Sequence, residues 1–307
     1  MKNYAKLIAC SLALFAGPVA AQTPSDVKQD EPDEVVITVE GFRKAEREIA
    51  RFSRDLTQVS ANSPLSRYNP GEYCPRVIGM SDHLNAAIAS RMIQVAAAAD
   101  VRPSNASDCS TSALVMFSED LKVLEKQFRK QHPEYFRELS GEDIEFSGDA
   151  DQVRAWTLRS RVDRNEAPVG VDPETGIQIV INTGSVTRLQ AASRPVTVMS
   201  VLLIRPKAVR GFSVQQIADY AFMRTQTDFE PKRLAGNAGP TILSLLDTPL
   251  GAEAPLSLST WDLAYVKGRY ATSPWNLGPT QAAKIRGTMK RALLGMEDYE
   301  PNAPVRP

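Results

Sequence analysis

Histidine is nearly missing from this chain: His83 and His132 are the only two in 307 residues. Neither has a second histidine or a cysteine at ligand spacing, so metal binding and Ser-His-Asp or Cys-His catalysis lack their usual side chain. His83, beside Asp82, and His132, before Pro133, read as surface or capping residues. A Gly-x-Ser-x-Gly elbow, a phosphate loop and a dinucleotide fingerprint are also absent, and no cofactor is expected. An excess of one charge is missing too, with 36 Lys and Arg against 36 Asp and Glu. No basic stripe stands out, which argues against nucleic acid, because displacing phosphate counterions takes clustered Lys and Arg. Long apolar runs are lacking after the N-terminus. The longest covers residues 196–204 and is interrupted by Thr197 and Ser200, whereas a membrane helix needs about twenty apolar residues.

What is present begins with an address. Lys2 and Lys6 form a positive n-region, residues 7–15 a short apolar segment, and Gly17-Pro18 breaks it. Val19-Ala20-Ala21 offers small residues for cleavage before Gln22. Residues 1–21 therefore read as a secretory signal peptide. Leu7-Ile8-Ala9-Cys10 also has the shape of a lipoprotein cleavage box. Cutting there leaves almost no apolar segment, where about 7–15 residues are needed. The expected location is periplasmic or secreted, with no transmembrane segment after cleavage.

Cleavage removes Cys10 and leaves Cys74 and Cys109. Two cysteines in an exported chain most simply form one disulfide. Two buried free thiols are the alternative. A zinc pair is disfavoured, because neither cysteine lies in a Cys-x-x-Cys or beside a histidine.

Residues 22–33 read as a polar, flexible leader and 297–307 as a polar, proline-containing tail, leaving 34–296 as a single α+β domain. Val35, Val36, Ile37 and Val39 predict a strand ended by Gly41, and residues 43–56 a helix with Ile49, Phe52 and Leu56 on one stripe. Ser81 is the expected cap of a helix to Ala99. Strands are expected over 113–117, 153–162, 177–181 and 196–204, with a turn at 172–176. Ser118 is the expected cap of a helix that turns Leu121, Leu124 and Phe128 inward. The sharpest local signal is Ser213-Val214-Gln215-Gln216, a capping box with Phe212 and Ile217 as its hydrophobic staple. It opens a helix to about Thr225 whose apolar face carries Val214, Ile217, Ala218 and Ala221. Residues 236–240 read as loop. Thr260 and Thr280 are expected to cap two final helices.

The remaining candidate chemistry is carboxylate or aromatic. Glu142, Asp143 and Glu145, with Asp149 and Asp151, cluster in a polar stretch that reads as a solvated loop. Trp156, Trp261 and Trp275 are available to line a sugar or peptide groove, although core packing is the default for tryptophan.

Two blocks resemble an uncharacterised family of secreted proteobacterial proteins best known from sphingomonads and their alphaproteobacterial relatives. One is Tyr73-Cys74-Pro75-Arg76-Val77-Ile78-Gly79-Met80 with the helix and strand after it. The other runs from Gly211-Phe212-Ser213-Val214-Gln215-Gln216 to Trp261-Asp262-Leu263-Ala264-Tyr265. The family carries no assigned activity. The second block also distantly resembles matrixin-like zinc peptidases, which have a zinc-binding helix, a turn, and then a helix opening Leu-Ser/Thr-x-x-Asp. Here the corresponding residues are the helix at 214–225, Thr241-Ile242-Leu243-Ser244, and Leu258-Ser259-Thr260-Trp261-Asp262-Leu263.

Zincins need His-Glu-x-x-His, two histidines on one helix face with a glutamate as base. In that register this chain has Gln215, Gln216 and Asp219, with Thr225 at the third ligand position. The resemblance therefore implies a zincin-like α+β fold, a mixed sheet with packed helices, around a degenerate cleft of Gln215, Gln216 and Asp219 and without metal. Two functions remain. One is a non-catalytic binding or envelope-support protein whose partner is an envelope protein or a small ligand. The other is a cell-envelope hydrolase using Asp219 with other carboxylates.

Overall fold

Successive residues of a strand point to opposite faces, so a sheet whose strands are apolar on both faces needs cover on both sides. That is the arrangement in the computed structural model, which describes residues 39–136, 152–171, 178–179, 190–227, 231–234, 239–248 and 253–295, all within one compact unit that begins at Val39. The helices are α1 (Val39–Leu56), α2 (Asp82–Ala98), α3 (Leu121–Gln131), α4 (Val214–Gln226), the single turn α5 (Pro231–Leu234), α6 (Thr260–Ala271) and α7 (Gly278–Leu294). The strands are β1 (Pro75–Ile78), β2 (Ala113–Phe117), β3 (Val153–Val162), β4 (Gly170–Val171), β5 (Gln178–Ile179) and β6 (Arg194–Ile204). Short 3₁₀ turns span Pro133–Phe136, Pro206–Val209 and Ile242–Asp247.

The main sheet has the order β1-β2-β6-β3, and β4 pairs separately with β5. β1, β2 and β6 are parallel, while β3 runs antiparallel to β6 with a register shift at Leu158/Arg159. The fold is thus α+β with a mixed sheet. A parallel neighbour needs a crossover, and α2 supplies it between β1 and β2. Gly79 closes β1 at φ +98°, and a Cβ there would overlap the backbone of Phe117 on β2. Only glycine meets both demands without strain.

The two faces divide the core. Val115, Phe117, Leu202 and Ile204 join a large cluster with Ile49, Phe52 and Leu56 of α1, Met92 of α2, Phe222 of α4, Tyr265 of α6 and Met289 of α7. The alternate residues Met116, Val201 and Leu203 pack with Trp156, Leu121 and Phe136 in a smaller cluster, against which Leu124 and Phe128 of α3 also lie. The expected stripe of α1 is therefore the buried one, and that of α3 faces inward with Leu121 buried and Leu124 and Phe128 partly buried.

Several expected boundaries move. Val39 is the first residue of α1 rather than the end of a strand, and Gly41 lies inside the helix; Val35, Val36 and Ile37 fall outside the described residues. The helical spacing of Ile49, Phe52 and Leu56 extends N-terminally through the half-buried Ala45 and Phe42, so the segment read as a strand end is drawn into the helix. Asp120, not Ser118, caps α3, accepting from the Val123 N–H at 2.9 Å. Ser259, not Thr260, caps α6. α7 starts at Gly278, with Leu277 at the cap and Pro279 in its first turn, rather than at Thr280. Proline is already shaped for that position. The turn expected at 172–176 and most of the strand expected at 177–181 lie outside the described residues, of which Gln178–Ile179 is a strand.

The capping box at Ser213 is formed. Its Oγ accepts from the Gln216 N–H at 3.2 Å, and the Ser213 N–H donates to Gln216 Oε1 at 2.9 Å. Ser213→Ala is expected to cost about 1 kcal/mol, the usual value of an N-cap oxygen. A urea melt with unchanged slope and a lower midpoint checks this, and an unchanged midpoint would refute it.

Candidate functional site

The helix that carries the sequence candidates is not amphipathic in its setting. Every residue of α4 from Gln216 to Gln226 is buried, because the helix packs against α2, β6 and the turn at Ile242–Asp247. The expected single apolar face is therefore corrected: polar side chains of α4 also point into protein and need internal partners.

Gln215 is exposed. Gln216 closes the capping box and its Nε2 donates to the Pro255 carbonyl at 2.8 Å. Asp219 is fully buried. Arg91 of α2 grips it side-on, with Nε to Oδ1 at 2.8 Å and Nη2 to Oδ2 at 3.0 Å. The Leu258 N–H donates to the same Oδ2 at 2.9 Å. This carboxylate holds the Arg91 guanidinium above its ordinary pKa, chiefly by hydrogen bonding. Thr225 is spent locally, donating to the Phe222 carbonyl at 2.7 Å and sharing a hydrogen bond with the Tyr73 hydroxyl at 3.2 Å. The structure therefore does not bring Gln215, Gln216, Asp219 and Thr225 together around an open position.

Below this helix lies a second buried carboxylate. Asp262 of α6 accepts from Thr241 Oγ1 at 2.6 Å, from the Ile242 N–H at 2.9 Å and from Ser259, completing a second capping box. Burial raises its pKa despite these donors. Asp262 thus ties the turn at Ile242–Asp247 to the start of α6. Its role is to hold the two segments that flank α4.

A zinc ion fits none of this. Gln215 and Gln216 offer amides, Asp219 is already neutralised by Arg91, and no group of three or more His, Cys, Asp or Glu side chains could hold a metal among the described residues. His83 and His132 are exposed, and His132 stacks edge-on against Phe128. Trp156 is core, Trp261 packs edge-on against Phe52, and the Trp275 ring is faced by the guanidinium groups of Arg164 and Arg194 at 4.5 and 5.3 Å. None of the three is left as an open aromatic wall. Glu142, Asp143, Glu145, Asp149 and Asp151 lie outside the described residues.

Cys74 and Cys109 form a disulfide with Cα atoms 6.1 Å apart. The bridge fits an oxidising compartment. No helix among the described residues is long and apolar enough to cross a membrane.

A cationic cavity lies away from every sequence motif. A cleft of about 700 Å³ is lined by Arg67, Arg102 and Lys267, with Asp100 as its acid, over a floor that includes Tyr68, Val101 and Tyr270. Arg67 Nη1 donates to the carbonyls of Arg269, Tyr270 and Thr272 at 3.0, 3.1 and 2.9 Å. These belong to the last turn of α6, where carbonyls lack helical partners and a cation is favoured. The same guanidinium sits 5.5 Å from the centre of the Tyr270 ring. Burial pulls its pKa down to about 10. These residues are far apart in the chain and none belongs to a motif. Searched against protein-family models, curated proteins and solved structures, the chain matches none.

Proposed function

We propose that this chain is an exported, non-catalytic binding or envelope-support protein, built on a zincin-like scaffold whose metal site has been replaced by structural contacts. The observation that carries the reading is Asp219. It stands where a zincin needs its second histidine, yet it is fully buried and its two oxygens take three hydrogen bonds from Arg91 and Leu258. The order of α4, the turn at Ile242–Asp247 and α6, with Asp262 clamping Thr241 and Ile242, supports the scaffold part of the proposal. The disulfide supports export to the periplasm or beyond.

The rival hydrolase would need Asp219 as a base or nucleophile. Both oxygens of this carboxylate are already taken by the side-on guanidinium and a backbone N–H, and a group without exposed surface cannot reach a substrate.

One preparation tests both halves. The protein recovered from the periplasm is expected to have a mass that begins at Gln22. Incubated with a mixed peptide library and added zinc, it is expected to show no chelator-sensitive cleavage. A lipid-modified mass beginning at Cys10 would move the protein to a membrane surface. Chelator-sensitive cleavage that disappears in a folded Asp219→Ala variant would overturn the non-catalytic reading.

A further inference from the structure

We propose that the cleft formed by Arg67, Arg102 and Lys267 is a binding site for a small organic anion, a carboxylate or phosphate group carried on an apolar body. The inference deepens the binding reading above by naming a site and a ligand class.

Three features of the cleft point to an anion. First, its charge is unbalanced: three cations face one acid, Asp100. Lys267 and Asp100 approach only to 3.9 Å and both are well exposed, a pairing worth little in water. Arg102 forms no hydrogen bond or ion pair through its side chain with the described residues, although its carbonyl accepts from the Gly71 N–H at 3.0 Å.

Second, Arg67 is an anchored but unfinished guanidinium. Nη1 is fixed by three carbonyls at the end of α6. Nε and Nη2 make no hydrogen bond to the described residues, and no described carboxylate forms an ion pair with it. Nε and Nη2 are the two donors that grip an oxyanion side-on. A guanidinium already held by its third nitrogen loses little freedom when an anion arrives, which favours binding. Its lowered pKa has the same origin, a cation removed from water without a counter-charge.

Third, the rest of the lining suits a carbon body. Tyr68, Val101, Pro103 and Tyr270 supply apolar and aromatic surface. The volume, about 700 Å³, is in the range of small-molecule sites, roughly 300–1,000 Å³.

Titration calorimetry of the mature protein with phenyl phosphate, phenylacetate and the neutral 2-phenylethanol tests the proposal. At least one anion is expected to bind saturably, more weakly as sodium chloride is raised, while the neutral compound gives no comparable heat. The tighter of the two anions names the group. The rim variant Arg102→Gln/Lys267→Gln is expected to weaken binding at least tenfold. Arg67→Lys keeps the charge but loses the side-on fork, and is expected to abolish binding. Should Arg67→Lys fail to fold, the rim variant carries the test, because both of its side chains are solvent-facing. No saturable binding of either anion, equal binding of the neutral compound, or an unchanged rim variant would overturn the proposal. Such a failure leaves the non-catalytic reading standing. Metal-dependent peptidase activity would do the reverse.

Discussion

Raised above pH 10, the protein is expected to unfold cooperatively, with tyrosinate absorbance and loss of circular dichroism appearing in one step. Tyr68, Tyr73 and Tyr220 are each at most 3% exposed. Burial pushes all three phenols above their ordinary pKa of 10.0. In the unfolded chain they ionise near 10, whereas in the folded chain they keep their protons. The folded state then binds more protons, so stability falls as pH rises from 10 toward the folded values. Each such group contributes about 1.4 kcal/mol per pH unit until the pH reaches its own folded value. Arg67 acts with the opposite sign, since burial brings its pKa down to about 10 and the folded state loses that proton first. Tyr270, pushed up to about 12 by burial, offsets Arg67. Against a typical stability of about 5–15 kcal/mol, such a loss from several phenols at once is enough to unfold the chain. Tyrosines that titrate near pH 10 while circular dichroism stays unchanged would refute this.

Replacing both bridge cysteines, Cys74→Ser with Cys109→Ser, is expected to lower stability by about 4 kcal/mol, the loop-entropy value for a closure of this length. The bridge spans a sequence separation of 35 residues and encloses β1, α2 and the loop leading to β2. That loop is stitched independently. Ser104 N–H donates to the Tyr73 carbonyl at 2.9 Å, Ser112 N–H to the Cys74 carbonyl at 3.0 Å, and Cys74 N–H to Ser112 Oγ at 2.8 Å. The variant should therefore still fold, with a lower denaturation midpoint. A midpoint equal to that of the parent would show that these hydrogen bonds already confine the segment.

Local signals are legible in the sequence and distant ones are not. The strands Ala113–Phe117 and Val153–Val162 were expected at their observed bounds, because apolar runs with clear edges are written in consecutive residues. The Ser213 capping box has the same locality. Caps shifted by one to three residues where alternatives adjoin, as with Ser118 beside Asp120 and Thr260 beside Ser259. The partner of Asp219 was out of reach, since Arg91 belongs to another helix and no spacing rule connects the two. The cationic cleft was hidden for the same reason: Arg67, Arg102 and Lys267 meet only because three separate segments converge.

The place of β6 in the sheet dictates the order in which the fold can be assembled. β6 lies between β2 and β3 but follows both in the chain. A polypeptide emerging N-terminus first can close β1, α2 and β2 early. β2 then keeps one unpaired edge, and β3 has no neighbour in the sheet, until residues 194–204 arrive. Unpaired strand edges are templates for association between chains. The last strand to appear seals both, so a chain cut just before Arg194 keeps the β1–β2 pair but leaves β2 and β3 without the strand that joins them. Its strand edges stay open, and the interval before β6 emerges is when this protein most needs protection from its own copies.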